Sequence, residues 1–473
     1  MDRRPQDSPP IPAPESSGGL GRRLSEALET LLRSQGLGAV LLRGGGGALL
    51  VTLAGTAVNL GCHVLLARWL GEKSYGVYAY WLTWVGILAL LSRLGLETAL
   101  VRFLAGYRAQ REWSLSRGLL RRADQLCLLA AVVAGGLGAG ALMVLAPRLE
   151  REMLVAGWTA ALVVPVLALL GLRKGALQGL SRVVRGQVPD ALLRPLLLSA
   201  AVAVAWWLGG ARSAVMAMGL TVAAWTGALL LAWLWQRRAL GEEGGAGAEP
   251  AYRTRAWLRV SLPLLLVSGM RQLLNQTDVL LVGMLLGPTE AGVYFVAARM
   301  THLISFGLVA GNAVASPLIA ESHTRGEEQR LQRLVTLSSW GATVAAGGLA
   351  VALFVLRGPV LGLFGGAFVA GGAVLGILAA GQVVNAATGP VGQLLNMTGH
   401  QDANARILAW ITAANLLFSY PAILLLGSVG AAVVTSTLVA AKNLWTWVVV
   451  REVLGINSSI LPLPVRGTGG SGS

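Results

Sequence analysis

Acid is scarce in this sequence. Its 473 residues hold 22 Asp and Glu against 38 Lys and Arg, and the four types together make up only 13%. A soluble chain of this size carries about a quarter charged residues, so a soluble fold is excluded. The net charge of +16 does not signal nucleic-acid binding, because the basic residues lie in short loops between apolar spans, where membrane orientation rules put them. The two cysteines, Cys62 and Cys127, both fall inside apolar spans, so no disulfide framework is implied. The four histidines, His63, His302, His323 and His400, are scattered over different spans and loops. No metal cluster and no cofactor are expected from them. There is no P-loop or nucleotide fingerprint, so ATP is not expected as the direct energy source. No cleavable signal peptide and no lipidation motif stand out, the first span beginning as late as Gly46.

What the sequence has is apolar length. The apolar share is 55%, and it is gathered into twelve runs near 46–67, 76–100, 125–146, 154–174, 188–209, 214–236, 259–286, 291–317, 334–356, 367–389, 405–426 and 429–450. Each is long enough to cross a bilayer as a helix, which takes about 20 residues. The expected fold is all-α, a polytopic membrane protein of about twelve transmembrane helices. Ahead of the spans, residues 1–19 are rich in Pro, Ser and Gly and read as disordered. From Leu20 to Arg43 a stripe of Leu24, Leu28, Leu31 and Leu32 suits either a helix lying on the membrane surface or an ordinary cytoplasmic helix. The closing run Gly467–Ser473, GTGGSGS, resembles an expression remnant and is set aside.

The connections alternate in charge. One set, containing both termini, holds 27 Lys and Arg, and the other holds 6. The positive-inside rule therefore puts both termini in the cytoplasm. The chain also repeats itself: Asn59 to Tyr78 aligns without gaps to Asn275 to Tyr294, with a shared L-G-x4-G-V-Y at Leu70–Tyr78 and Leu286–Tyr294. Two six-helix lobes follow, residues 45–236 and 257–451. The arm 1–44 precedes them, the polar linker 237–256 joins them and the tail 452–473 ends the chain. Both lobes start from the same side, so the repeat is parallel.

Charge inside the spans marks the candidate site. Arg93, Arg194, Arg271, Arg299 and Lys442 face only two deep acids, Glu97 and Asp278, with Asp190 near a boundary. Charge at bilayer depth is costly and usually faces a water-filled cavity or a partner. Arg271, Asn275 and Asp278 share a helical face in the stretch Trp257–Leu286. Arg271 lies about 18 Å deep and Arg299 about 12 Å, at 1.5 Å per residue. An excess of deep cations suits an anionic substrate, to which Arg offers a bidentate fork. Asp278 either binds a coupling proton or cation or neutralises Arg271, the second being favoured because each charge would be costly alone. Arg93 and Glu97, at i and i+4, read as a local salt bridge. Arg194 either lines the cavity or snorkels to headgroups, and Lys442 either lines the cavity or braces the bundle. Trp69, Trp81, Trp84, Trp206, Trp207 and Trp445 read as an interfacial belt.

Several of these residues carry a resemblance. The patterns LLARWLGEKSYGVY at 65–78, LGLETALVRF at Leu94–Phe103, NQTDVLLVGMLLGPTEAGVY at Asn275–Tyr294 and Ser316-Pro317-Leu318 resemble bacterial oligosaccharide flippases. These are Wzx-like polysaccharide exporters of the multidrug/oligosaccharidyl-lipid/polysaccharide superfamily. The resemblance implies two six-helix bundles around a central cavity, working by alternating access in the bacterial inner membrane. It implies a lipid-linked oligosaccharide as substrate, with surrounding membrane lipids and an H+ or Na+ coupling ion as partners. The expected site set is Arg271, Arg299, Asn275, Lys442, Arg93 and Arg194 for substrate, with Asp278 and Glu97 as coupling or charge-pair groups. A drug exporter of the same superfamily and a membrane glycosyltransferase or polymerase are the alternatives. The enzyme is disfavoured because no extracytoplasmic connection exceeds about ten residues. Nothing signals oligomerisation, so a monomer is the default.

Overall fold

The computed structural model describes residues 37–244, 247–305 and 327–459, together with Ile319, Ser322 and Arg325. The expected disordered arm, most of the expected helix Leu20–Arg43, Ser316–Leu318, His323 and the tail beyond residue 459 lie outside them. The chain divides into a unit of residues 1–48 and one of residues 49–473, and the second unit carries the site. The described residues are helical, with no strand among them. The longer helices are α1 (Leu37–Ser92), α2 (Leu96–Ala109), α3 (Trp113–Leu145), α4 (Arg151–Gly179), α5 (Val183–Trp207), α6 (Ala214–Glu242), α7 (Thr254–Leu285), α8 (Pro288–Ile304), α9 (Glu328–Val355), α10 (Gly372–Ala387) and α11 (Gln401–Leu454).

Among the described residues, eight helical stretches are long and apolar enough to cross a membrane, α10 counting together with the 3-10 turn Gly366–Gly371 ahead of it. Two of the eight are double, since α1 turns sharply at Gly71 and α11 at Gly427. α7 is long enough but carries Arg271 and Asp278 in its middle, and α8 is described only to Ile304. Counting these two, about twelve spans result. The helices pack in two groups. In the first, α4 lies against α2, α3 and α6, and α5 against α6. In the second, α11 lies against α7 and α10, and α10 against α8 and α9. Small residues make the close approach possible: Ala156, Ala160, Ala168 and Ala176 on α4, and Ala217, Ala228 and Ala232 on α6, are buried.

The repeated motif sits where the two groups meet. Gly71 and Gly287 share one backbone conformation, φ 75°, ψ 175° and φ 96°, ψ 171°, a region that only glycine enters freely. Five residues on, Gly76 and Gly292 face each other, and a Cβ on Gly292 would fall 2.8 Å from the Gly76 Cα. A side chain on Gly76 would strike the Pro288 carbonyl. Nearby, Arg68 Nε donates to the Leu363 carbonyl oxygen at 2.6 Å, and the Tyr80 ring fills the space beside Gly283.

Three local expectations are corrected. The second span does not run unbroken to residue 100. It stops at Ser92, Leu94 and Gly95 take positive φ (51° and 72°), and α2 begins at Leu96. The break lies against the α7 backbone at Ser261 and Leu265. The linker is tied down and shorter than expected. α6 continues to Glu242, Arg108 pairs with Glu243 at 2.9 Å, and Ala251 N–H donates to the Ser114 oxygen at 2.9 Å. Trp69 is not part of an interfacial belt, being 1% exposed in the core. Trp207, at 85%, is open as a belt residue would be.

Candidate functional site

A cavity of about 120 Å³ lies between the two groups, lined by residues of α1, α4, α5 and α6 on one side and α7 and α8 on the other. Arg194 and Arg299 both line it, with Asn59, His63, Gln276 and Trp225. No Asp or Glu is among its lining residues. The Arg194 guanidinium lies over the Trp225 indole, 4.5 Å from its centroid, a cation–π seat that holds the plane in place. Only its Nε is engaged, by the Asp190 carbonyl at 3.2 Å and the Asp190 carboxylate at 3.4 Å. Arg299 lies over Phe295 at 4.8 Å, and no described carboxylate comes within ion-pair distance of it. His63 closes the cavity toward the motif, its Nδ1 3.2 Å from the Tyr75 hydroxyl and its ring edge-on to Phe295.

The structure does not bring the expected residues into one place. Arg194 does not snorkel; it turns inward to the cavity. Arg93 does bridge to Glu97, Nη1 to Oε2 at 2.6 Å, but across the Leu94–Gly95 break and not along one helix. Its Nη2 donates to the Leu167 carbonyl at 3.0 Å, so both ends of the fork are occupied. Arg271 and Asn275 are exposed and do not line the cavity that Arg299 does. Arg271 stands within electrostatic range of Lys442 on α11. The register explains this. Asp278 meets Thr435, and seven residues along each helix, in opposite directions, come Arg271 and Lys442.

Asp278 does not neutralise Arg271. It is 4% exposed, and its Oδ2 accepts from the Tyr294 hydroxyl at 2.9 Å and the Thr435 hydroxyl at 2.5 Å. Its Oδ1 has no hydrogen-bond partner, nor have Asn415 Oδ1 and Ser419 Oγ, all of them buried. Asn415 joins the same group through Nδ2 to Thr435 at 3.4 Å. Buried oxygens without partners are costly, so this cluster has spare capacity for a proton or a small cation.

Sequence reasoning missed other groups. Arg173, inside the expected span 154–174 but not among the candidate residues, is buried in α4 and binds Asp124 at 2.6 Å and Gln236 at 2.9 Å. A polar chain runs from Ser305 to Gln382, Asn385 and Asn443, with steps of 2.8, 3.1 and 2.8 Å. The available signal was polar side chains repeated inside apolar runs, as at Gln382 and Asn385.

Comparisons with known proteins agree with this architecture. Residues 41–323 match the polysaccharide biosynthesis protein family. The chain belongs to that family. No curated protein matches the sequence. Among solved structures it is similar to a multidrug resistance MATE family transporter of the MOP superfamily in an inward-facing conformation. That match has 14% identity and TM-score 0.69, and covers 85% of this chain and 97% of the other. The outward-facing conformation of a MATE family transporter matches with TM-score 0.60 at 15% identity, over 89% and 98% of the chains. A MOP superfamily transporter from Pyrococcus furiosus, described as having a binding pocket of reverse polarity, gives TM-score 0.60 at 14% identity over 86% and 94%. The fold is shared with these transporters, and the long apolar helices make the chain a multi-pass membrane protein.

Proposed function

We propose that this protein is a flippase that carries a polyprenyl-pyrophosphate-linked oligosaccharide across the bacterial inner membrane for surface polysaccharide synthesis. The observation that carries this reading is the pair Arg194 and Arg299, contributed by different lobes to one cavity whose lining has no acid. Two guanidinium groups with free donors in one partly buried site suit a pyrophosphate, which takes charge-assisted hydrogen bonds from both. Because the two arginines come from different lobes, a rocking of the lobes changes their separation, which gives alternating access a way to release the headgroup. Arg271 and Lys442, within electrostatic range of each other and without an acid partner among the described residues, add positive charge outside this cavity. In this reading both termini lie in the cytoplasm, as the charge alternation of the connections supports, and Asp278 with its unpartnered oxygen neighbours takes a coupling proton or cation.

A multidrug exporter fits the MATE-like fold equally well, but a cationic drug needs acid in the cavity, and the lining has none. An enzymatic role has no support from the family or the fold. The deciding experiment measures binding of inorganic pyrophosphate to the purified protein in nanodiscs, alongside flipping of a lipid-linked glycan in vesicles. Losing one charge-assisted contact worth about 2 kcal/mol weakens binding roughly 30-fold. Arg194→Ala and Arg299→Ala should each do this with normal folding, and Arg→Lys should recover part of it. Unchanged pyrophosphate binding in both Ala variants would refute the reading.

A further inference from the structure

One carboxylate reaches one of the cavity's two arginines. Asp190 lies in a widened turn of α5, Pro189–Leu193, where the Arg194 N–H bonds to the Pro189 carbonyl five residues back. Such turns are rare and gather at functional sites. α1 lies flush against it, since a Cβ on Gly55 would sit 2.5 Å from the Ala191 oxygen. Asp190 is shared between two cations: its Oδ1 is 3.4 Å from Arg194 Nε and its Oδ2 is 3.5 Å from Lys174 Nζ. These are long. Arg93–Glu97 and Arg173–Asp124, in the same lobe, each close to 2.6 Å, and a fully engaged pair lies at about 2.7–2.9 Å. Asp190 is thus fully engaged with neither cation, and it leaves both Nη groups of Arg194 free beside the cavity.

We propose that Asp190 is a positioning residue and resident counter-anion, which holds the Nε edge of Arg194 and moves to Lys174 when a diphosphate occupies the cavity. This rests on the flippase reading and deepens it by fixing the substrate's charge. Arg194, Arg299 and Lys174 against Asp190 leave two positive charges around the site. A pyrophosphate esterified at both ends carries two negative charges, one on each phosphorus, so it neutralises the site, whereas a phosphate diester with one charge does not. The carboxylate also limits how tightly the headgroup is held, as a carrier that must release its cargo requires.

The test titrates inorganic pyrophosphate and inorganic phosphate against the full-length protein in nanodiscs, with dissociation followed by stopped flow. Asp190→Asn keeps an oxygen for Arg194 Nε and removes the competing charge. It should bind pyrophosphate about tenfold tighter, with slower release. Asp190→Ala loses the hold on Arg194 as well and should bind more weakly than Asp190→Asn. A role confined to folding would lower affinity in both. If Asp190→Asn binds like the wild type or more weakly while Arg194→Ala loses binding, the counter-anion role is wrong and the cavity reading stands. If Arg194→Ala also binds normally, the cavity reading itself falls.

Discussion

The two lobes handle buried charge in opposite ways. In the first, the deep cations described here have carboxylates: Arg93 has Glu97, Arg173 has Asp124, and Lys174 and Arg194 share Asp190. In the second, among the described residues inside the spans, Arg271, Arg299 and Lys442 have no acid partner. The acid there, Asp278, is held by hydroxyl groups and not by a cation. A charge left alone at depth is costly, so the first lobe reads as a braced scaffold and the second as the half that waits for ligands. The loosest pair of the first lobe, at Asp190, lies where that lobe touches the shared cavity.

The largest expected effect comes from breaking the contact between the lobes. Gly76→Leu would drive a side chain into the Pro288 carbonyl and against Gly292. Overpacking of this kind costs about 1–3 kcal/mol or more, and here it falls on the interface that must close. We expect translocation in vesicles to be abolished. Gly219→Leu is the matched control, because nothing lies within 4 Å of its added Cβ, and it should transport normally. Equal transport by both variants would mean that the repeated motif is not a closing surface.

The second test sharpens the contrast in the acids. Asp278→Asn keeps the shape of the group but cannot supply a negative charge to a cation. The wild type should gain thermal stability when sodium replaces choline, or show a pH dependence of transport, and the variant should lose that response. Transport should fall about tenfold or more, within the usual range of coupling energies. A variant that keeps its full ion and pH response would remove Asp278 from coupling.

The spans, the charge alternation and the repeated turn were readable because each depends on local sequence. The break at Leu94–Gly95 was not, since the apolar run continues across it and the cause is the α7 backbone packed against it. Helical spacing suggested one face for Arg271 and Asp278, but Arg271 is exposed and Asp278 buried. The partner of Asp278 was not readable, because Thr435 lies 157 residues away in sequence. Arg299 and Arg194 were each singled out, but only the folding of two lobes together could show that they share a cavity.

The smallest effect tests the braced lobe itself. Arg93 donates to Glu97 at 2.6 Å and to the Leu167 carbonyl, and the pair's side chains are 16% and 26% exposed. Glu97→Gln keeps an acceptor for the arginine but removes the countercharge. Fully exposed pairs contribute about 0–1 kcal/mol and fully buried ones cost about 3–5 kcal/mol to break. A partly buried pair that keeps one hydrogen bond should lose about 1–2 kcal/mol, read as a modest drop in melting temperature. Affinity for pyrophosphate should stay within about twofold, because the Leu167 carbonyl still holds Arg93 in place and Arg93 does not line the cavity. Tighter binding of pyrophosphate in this variant would be the telling result. It would mean that Arg93, released from its carboxylate, joins the substrate groups, and that the first lobe's pairs are reserves of charge and not braces.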